Sequence, residues 1–320
     1  MPSLFLSGVV ALKFLAVVMA AAAIFFSTAE AADVPSPTTE FELMAYAPVY
    51  PTYSWEPVSG AKFYQVQVVD SRGKIVRELL NTESLSRVTD TEPFVEVGEY
   101  YWRVRAVDAK KNPLSDWSAP KYFSVTAPVK FAALGDSITH GGADFIPAGQ
   151  LSCQWETFCE FPIKNIGRSG DKTAQMIERF ERDVLPFQPE VLIILGGLND
   201  IRGGATAEEV IANLKTLREK CAANGITAYI ATLPPMNAEI IRGRKINLTE
   251  KNWRGERAKV NRWILANGGF EITAGLADKT GELRADFTPD GLHPNLRGKM
   301  LIGRAVEKFL EGKGYVRAES

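Results

Sequence analysis

The rhythm of hydrophobic positions changes near residue 128. From about residue 40 to 126, apolar and polar residues alternate. Tyr64, Val66 and Val68 are separated by Gln65 and Gln67, and Trp102, Val104 and Ala106 by Arg103 and Arg105. Period-two alternation puts one face of a strand in a core and the other in water. Turn residues, Ser59-Gly60 and Ser71-Arg72-Gly73, punctuate the pattern. This segment is therefore expected to be an all-β sandwich. Past the short Ala127-Pro128 link, apolar runs lose their alternation. Phe131–Leu134, Val191–Leu195 and Thr227–Thr232 are such runs, and strands buried on both faces have this composition; Phe161–Ile166 reads as a further strand. Helical stretches lie between them. Ile177, Phe180 and Val184 share a face, with Pro186 expected to end that helix. Thr206 and Glu209 form a capping box, and Asn224-Gly225 suits a C-terminal stop. Val210, Leu214, Leu217 and Cys221 form one stripe, which makes Cys221 a packed core thiol. Alternating strands and helices predict a parallel α/β sheet covered on both sides.

Bulk properties narrow the function classes. The 320-residue chain carries a formal charge of −1, with 37 basic and 38 acidic residues, so no electrostatic footprint for nucleic acid is present. Phe14 to Phe26 is an unbroken apolar run after Lys13, followed by Ala29-Glu30-Ala31. A small-x-small site after such a run predicts a signal peptide over residues 1–32 and an exported, periplasmic or extracellular product. If uncleaved, the stretch Leu4 to Phe26, broken only by Lys13 and Ser7-Gly8, is long enough to anchor the chain in a membrane. Of three cysteines, Cys153 and Cys159 are close enough in sequence to bridge in an oxidising compartment, but spacing alone does not bring their Cα atoms within reach.

The chain has two histidines, His140 and His293. A zinc site built on several histidines is unavailable, and no cofactor or metal is expected. Serine chemistry needs only one histidine, as general base. Ser137, in LGDSITHGG, follows an apolar strand and opens a helix. His293 lies in DGLHPN, three residues after Asp290. At that spacing a turn returns the carboxylate to one imidazole nitrogen and leaves the other for a serine hydroxyl. Pro294 fits the first position of the helix that follows. Acyl transfer also needs donors for the developing oxyanion. Gly170 in NIGRSGDKT offers an unobstructed N–H, and Asn199 in GGLND offers a side-chain amide. All these turns fall at the C-terminal edge of the predicted sheet, where ligand sites gather.

These four stretches, in this order, resemble the SGNH (GDSL) hydrolase family over residues 129–316. The resemblance implies a flavodoxin-like three-layer α/β/α fold with a parallel sheet and ester hydrolysis without metal. It also implies a triad of Ser137, Asp290 and His293, with the Ser137 N–H joining Gly170 and Asn199 in the oxyanion hole. WEPVSGAKFYQVQV and YYWRVRAVD, with SDWSAPKYF after them, are similar to a fibronectin type III-like domain over residues 40–126. A Gly-x-Ser-x-Gly elbow of the α/β-hydrolase kind is missing; Gly167-Arg168-Ser169-Gly170-Asp171 lacks its last glycine.

The neighbours have structural roles by expectation. Asp136 braces the Ser137 turn, Asp200 holds the Asn199 loop, and His140 is a possible pocket residue without a carboxylate partner close in sequence. Trp155, Phe158 and Trp253 either shape an acyl pocket or pack loops. The substrate expected of an exported enzyme with a β-sandwich is an acetylated polysaccharide or a small ester. Lysophospholipase, lipase-like or thioesterase activity is the enzymatic alternative, and a non-catalytic surface-binding protein the other. The sandwich is expected to be a spacer or a wall beside the active site, or to bind glycan through exposed tyrosines near Tyr46 to Tyr53.

Overall fold

The computed structural model describes residues 33–81, 86–141, 154–249 and 252–316. The expected signal segment and Cys153 lie outside the described residues, and so does the Cys153–Cys159 bridge.

Among the described residues, seven strands precede residue 126: β1 (Ser36–Pro37), β2 (Thr52–Glu56), β3 (Phe63–Asp70), β4 (Ile75–Asn81), β5 (Arg87–Thr89), β6 (Gly98–Val107) and β7 (Lys121–Val125). They form a three-stranded sheet, β1-β2-β5, and a four-stranded sheet, β4-β3-β6-β7. The register follows the sequence alternation. Tyr64, Val66 and Val68 stand opposite Ala106, Val104 and Trp102, and all six are buried. On the other face Gln65 accepts from Arg105 at 2.8 Å and Gln67 from Arg103, and both guanidinium groups stack over Trp117. Tyr53 and Trp102 meet in the core with ring centroids 5.2 Å apart. Tyr50 and Tyr53 are almost completely buried, which overturns the reading of the Tyr46–Tyr53 stretch as an exposed glycan platform. Their rings are large apolar surfaces that stabilise this core by burial.

Four further strands, β8 (Phe131–Gly135), β9 (Ile163–Gly167), β10 (Val191–Leu195) and β11 (Thr227–Ile230), form a parallel sheet in the order β11-β10-β8-β9. A parallel bridge between Ala231 and Phe270 marks a fifth position beyond β11. This is the flavodoxin-like order, with β8 at the point where strand succession reverses. Every residue of β8, β9 and β10 is buried, so the sheet is covered on both faces. Thr206 and Glu209 cap the helix Ala207–Ala223 reciprocally, and its buried stripe includes Cys221.

Two helix boundaries differ from the sequence reading. The stretch carrying Ile177, Phe180 and Val184 is not one helix ended at Pro186. It runs as Thr173–Glu178, Phe180–Asp183 and a 3-10 turn, Leu185–Phe187, that contains Pro186. The break is at Arg179, whose buried guanidinium reaches Asp171, Asp183 and the Gly135 carbonyl. Pro294 does not open the last helix, which spans Leu296–Gly312. Asn295 caps it by accepting from the Arg297 and Gly298 N–H groups, a contact typically worth ~1 kcal/mol.

Candidate active site

Ser137 is placed by the end of β8. The Asp136 carboxylate accepts from the Ile138 N–H at 2.9 Å and so caps the one-turn helix Ser137–His140. The cap makes Ser137 the first helical residue, at the C-terminal edge of the sheet and beside the topological switch.

His293 arrives from a tight turn, Thr288–His293. Asp290 Oδ1 accepts from the backbone N–H groups of Leu292 (2.9 Å) and His293 (2.8 Å) and from the Thr288 hydroxyl (3.3 Å). Gly291 takes φ +84°, and a Cβ there would run into the Asn237 carbonyl, so the turn requires glycine. With Oδ1 pinned, Oδ2 accepts from His293 Nδ1 at 2.6 Å, and His293 Nε2 lies 2.8 Å from Ser137 Oγ. An ionised carboxylate can only accept, so the imidazole proton sits on Nδ1 and the Nε2 lone pair faces the serine hydroxyl. The carboxylate is sealed, at 2% side-chain exposure, while the imidazole keeps 13%.

Gly170 and Asn199 follow β9 and β10, the two strands that flank β8. The loop after β9 is fixed by the Arg168 N–H donating to the Gly135 carbonyl at 3.0 Å. Gly170 at its tip has φ +86° and open space around the position of a Cβ. Asn199 opens with the helix Leu198–Arg202, which follows β10. Its Nδ2 donates to the Asp171 carbonyl at 3.0 Å, and its Oδ1 accepts from Arg202 at 3.3 Å. This pairing fixes which end of the amide is the donor. Asp200 does not hold its own loop alone. Its carboxylate takes the Thr173 N–H and, at 2.5 Å, the Thr173 hydroxyl, tying the Asn199 turn to the helix after Gly170.

Electrostatics separate the ionisable groups. Burial pushes the Asp290 carboxyl up, but the hydrogen bond and charge of His293 and the two backbone N–H groups outweigh it and hold it at about 2. Asp136 has the opposite balance: burial raises it to about 6 against the Ile138 N–H and the His293 charge. Burial lowers His140 to about 4, so it is neutral at pH 7. It is buried, with Nε2 2.7 Å from the Tyr50 carbonyl and Nδ1 2.8 Å from Ser169 Oγ. A carbonyl only accepts, so Nε2 carries the proton and Ser169 donates to Nδ1. Trp155 and Trp253 are buried in the core, at the starts of the 3-10 helix Trp155–Phe158 and the helix Trp253–Ala266.

The sequence reading missed Arg202, Arg179 and the Tyr50–His140–Ser169 chain. An Asn-x-x-Arg spacing at the start of a helix signals the first. The others join residues far apart in sequence and leave no local pattern.

The GDSL-like lipase/acylhydrolase family model matches residues 133–301, from inside β8 to the helix after His293. No curated protein matches the chain. Among solved structures the chain is similar to a GDSL-like lipase from Bacteroides thetaiotaomicron, at 21% identity and TM-score 0.47, over 57% of this chain and 88% of that one. It is similar to a lipase/acylhydrolase from Enterococcus faecalis, at 20% identity and TM-score 0.47, over 60% and 100%. A catalytic mutant of an acetylxylan esterase from Geobacillus stearothermophilus aligns at 19% identity and TM-score 0.43, over 61% and 99%. The family model spans more than half of the chain and includes Ser137, Gly170, Asn199, Asp290 and His293. The chain belongs to the GDSL-like lipase/acylhydrolase family.

Proposed function

We propose that the protein is a metal-independent serine esterase that works through an acyl-enzyme and removes O-acetyl groups from carbohydrate. The observation that carries this reading is the hydrogen-bonded chain from Ser137 through His293 to Asp290. As Ser137 Oγ attacks the ester carbonyl carbon, its proton passes to His293 Nε2. Asp290 stabilises the imidazolium. The carbonyl oxygen gains the negative charge and is held by the N–H groups of Ser137 and Gly170 and the Asn199 amide. The bond to the alcohol oxygen then breaks, and His293 returns the proton to that oxygen. Water, deprotonated by His293, repeats the attack on the acyl-enzyme and releases the acid and the free serine.

Polar side chains border the oxyanion donors. Arg168, Ser169 and Lys172 flank Gly170, and Arg202 contacts Asn199. A rim of this kind favours a hydrophilic alcohol and a short acyl group over a lipid chain. The two-sheet β-domain, three strands against four, supports the fibronectin type III-like reading over residues 40–126, with 129–316 as the catalytic unit. Export rests on the Lys13-led apolar run and Ala29-Glu30-Ala31.

Hydrolysis of p-nitrophenyl acetate and octanoate by wild type and Ser137→Ala tests the proposal. Faster turnover of acetate, abolished by the substitution, supports it. Preference for octanoate points to a lipid ester instead, and equal rates for wild type and variant point to a binding protein.

A further inference from the structure

The stretch Ala47–Tyr50 is bonded on two sides. Towards the β-domain, the Phe94 N–H donates to the Val49 carbonyl at 2.7 Å. Towards the catalytic sheet, the Val49 N–H donates to the Asn165 carbonyl at 3.0 Å, on edge strand β9. Lys164, buried on the same strand, donates from Nζ to the Ala47 carbonyl at 2.7 Å. An open sheet edge is thereby covered by the β-domain's own chain.

Tyr50 reaches further, by two routes. Its carbonyl accepts from His140 Nε2 at 2.7 Å, and His140 Nδ1 accepts from the Ser169 hydroxyl at 2.8 Å. Its ring is faced by the guanidinium groups of Arg168 and Arg179, at 5.5 and 5.6 Å. Its hydroxyl donates to Asp183 at 2.5 Å and accepts from Arg182 at 2.8 Å. Arg179 in turn donates to Asp183 at 3.1 Å, to Asp171 at 2.5 Å and to the Gly135 carbonyl at 3.1 Å. The two routes end on Ser169 and Asp171, the residues on either side of Gly170. Gly170 itself has a left-handed backbone and nothing packed where a Cβ would be. Its position is therefore set by its flanks.

We propose that Tyr50, His140 and Ser169 are positioning residues for the oxyanion hole, and that the N-terminal β-domain holds the Gly170 N–H in place rather than merely accompanying the catalytic unit. The inference rests on the esterase reading above. A hydrogen-bond donor works in catalysis only where the oxyanion will form. Displacement by about 1 Å is enough to cost up to ~10²-fold in turnover.

The test uses the full chain with p-nitrophenyl acetate and a boronic acid that mimics the tetrahedral intermediate. Ser169 is exposed, so Ser169→Ala keeps the fold. It is expected to lower kcat about tenfold, to weaken boronate binding by the same factor, and to leave KM unchanged. Ser169→Thr restores the hydroxyl and is expected to recover both. His140→Phe keeps the ring volume, removes both hydrogen bonds and is expected to match Ser169→Ala. Tyr50→Phe keeps the carbonyl and loses only the Asp183 and Arg182 bonds, with an expected loss of about threefold in kcat. Wild-type kcat and boronate affinity in Ser169→Ala overturn the proposal while the esterase reading stands. Wild-type rates no higher than those of Ser137→Ala overturn both.

Discussion

The two histidines sit in regions that look alike at first contact and differ in what lies behind the ring. His293 meets a serine hydroxyl at 2.8 Å, and so does His140. Behind His293 is the Asp290 carboxylate at 2.6 Å; behind His140 is the Tyr50 carbonyl at 2.7 Å. A carboxylate stabilises an imidazolium, and a neutral carbonyl in a buried site does so far less. Burial therefore holds His140 near 4, with Lys299 and Arg179 pushing the same way against the Tyr50 bond. The proton directions are the same. Each ring accepts from its serine through a lone pair and donates its N–H to the group behind it, His293 through Nε2 and Nδ1, His140 through Nδ1 and Nε2. A serine–histidine contact is thus not a nucleophile by itself; the third group decides.

This contrast is open to attack at several points. The largest expected effect is that of His293→Ala, which removes the base and should lower kcat on the order of 10⁶-fold; steady-state turnover of p-nitrophenyl acetate measures it. Asp290→Asn makes the group behind His293 neutral, as behind His140, and leaves a wrong tautomer available. A loss on the order of 10⁴ in kcat is expected, and a variant within about tenfold of wild type would show that the backing charge is not what distinguishes the two sites. Asn199→Ala removes one oxyanion donor and should cost roughly 10²–10³ in kcat, with circular dichroism unchanged.

The smallest effect is on stability and tests the burial of His140 by pH. His140 titrates near 4 when folded and near 6.5 when unfolded, so the unfolded chain binds more protons between these values. Its contribution is complete above about pH 6.5 and is lost as pH falls towards 4, on the order of 3 kcal/mol. Asp290 loses its contribution in a lower window, as pH falls from 3.8 towards 2. Asp136, raised to about 6, gains stability over nearly the same window, so the readout is a difference: in urea unfolding the wild type should lose stability relative to His140→Phe as pH falls from 6.5 towards 4. A difference between the two that does not change with pH would remove His140 from this window.

Local chemistry made much of the molecule readable. Val191–Leu195 is the strand β10 at the residues expected, because five consecutive buried side chains need an unbroken apolar run. The Thr206–Glu209 box was legible because capping is written within four residues. The Asp290–His293 turn is local too, since the carboxylate and the ring it orients are three residues apart. What escaped was carried by long-range polar contacts. Arg179 lies in a stretch that reads as a continuous amphipathic helix, and only its buried partners at 171, 183 and 135 explain the break there. Tyr50 reads as an exposed aromatic beside Tyr46, yet its carbonyl meets a histidine 90 residues away. Pro294 looked like a helix start, but Asn295 offered the better cap.

The most direct test is to treat the protein with a fluorophosphonate and locate the adduct by peptide mass spectrometry. The added mass is predicted on the peptide carrying Ser137, absent in His293→Ala and present in His140→Phe. An adduct on Ser169, or labelling of Ser137 at the wild-type rate without His293, would contradict the assignment of nucleophile and base.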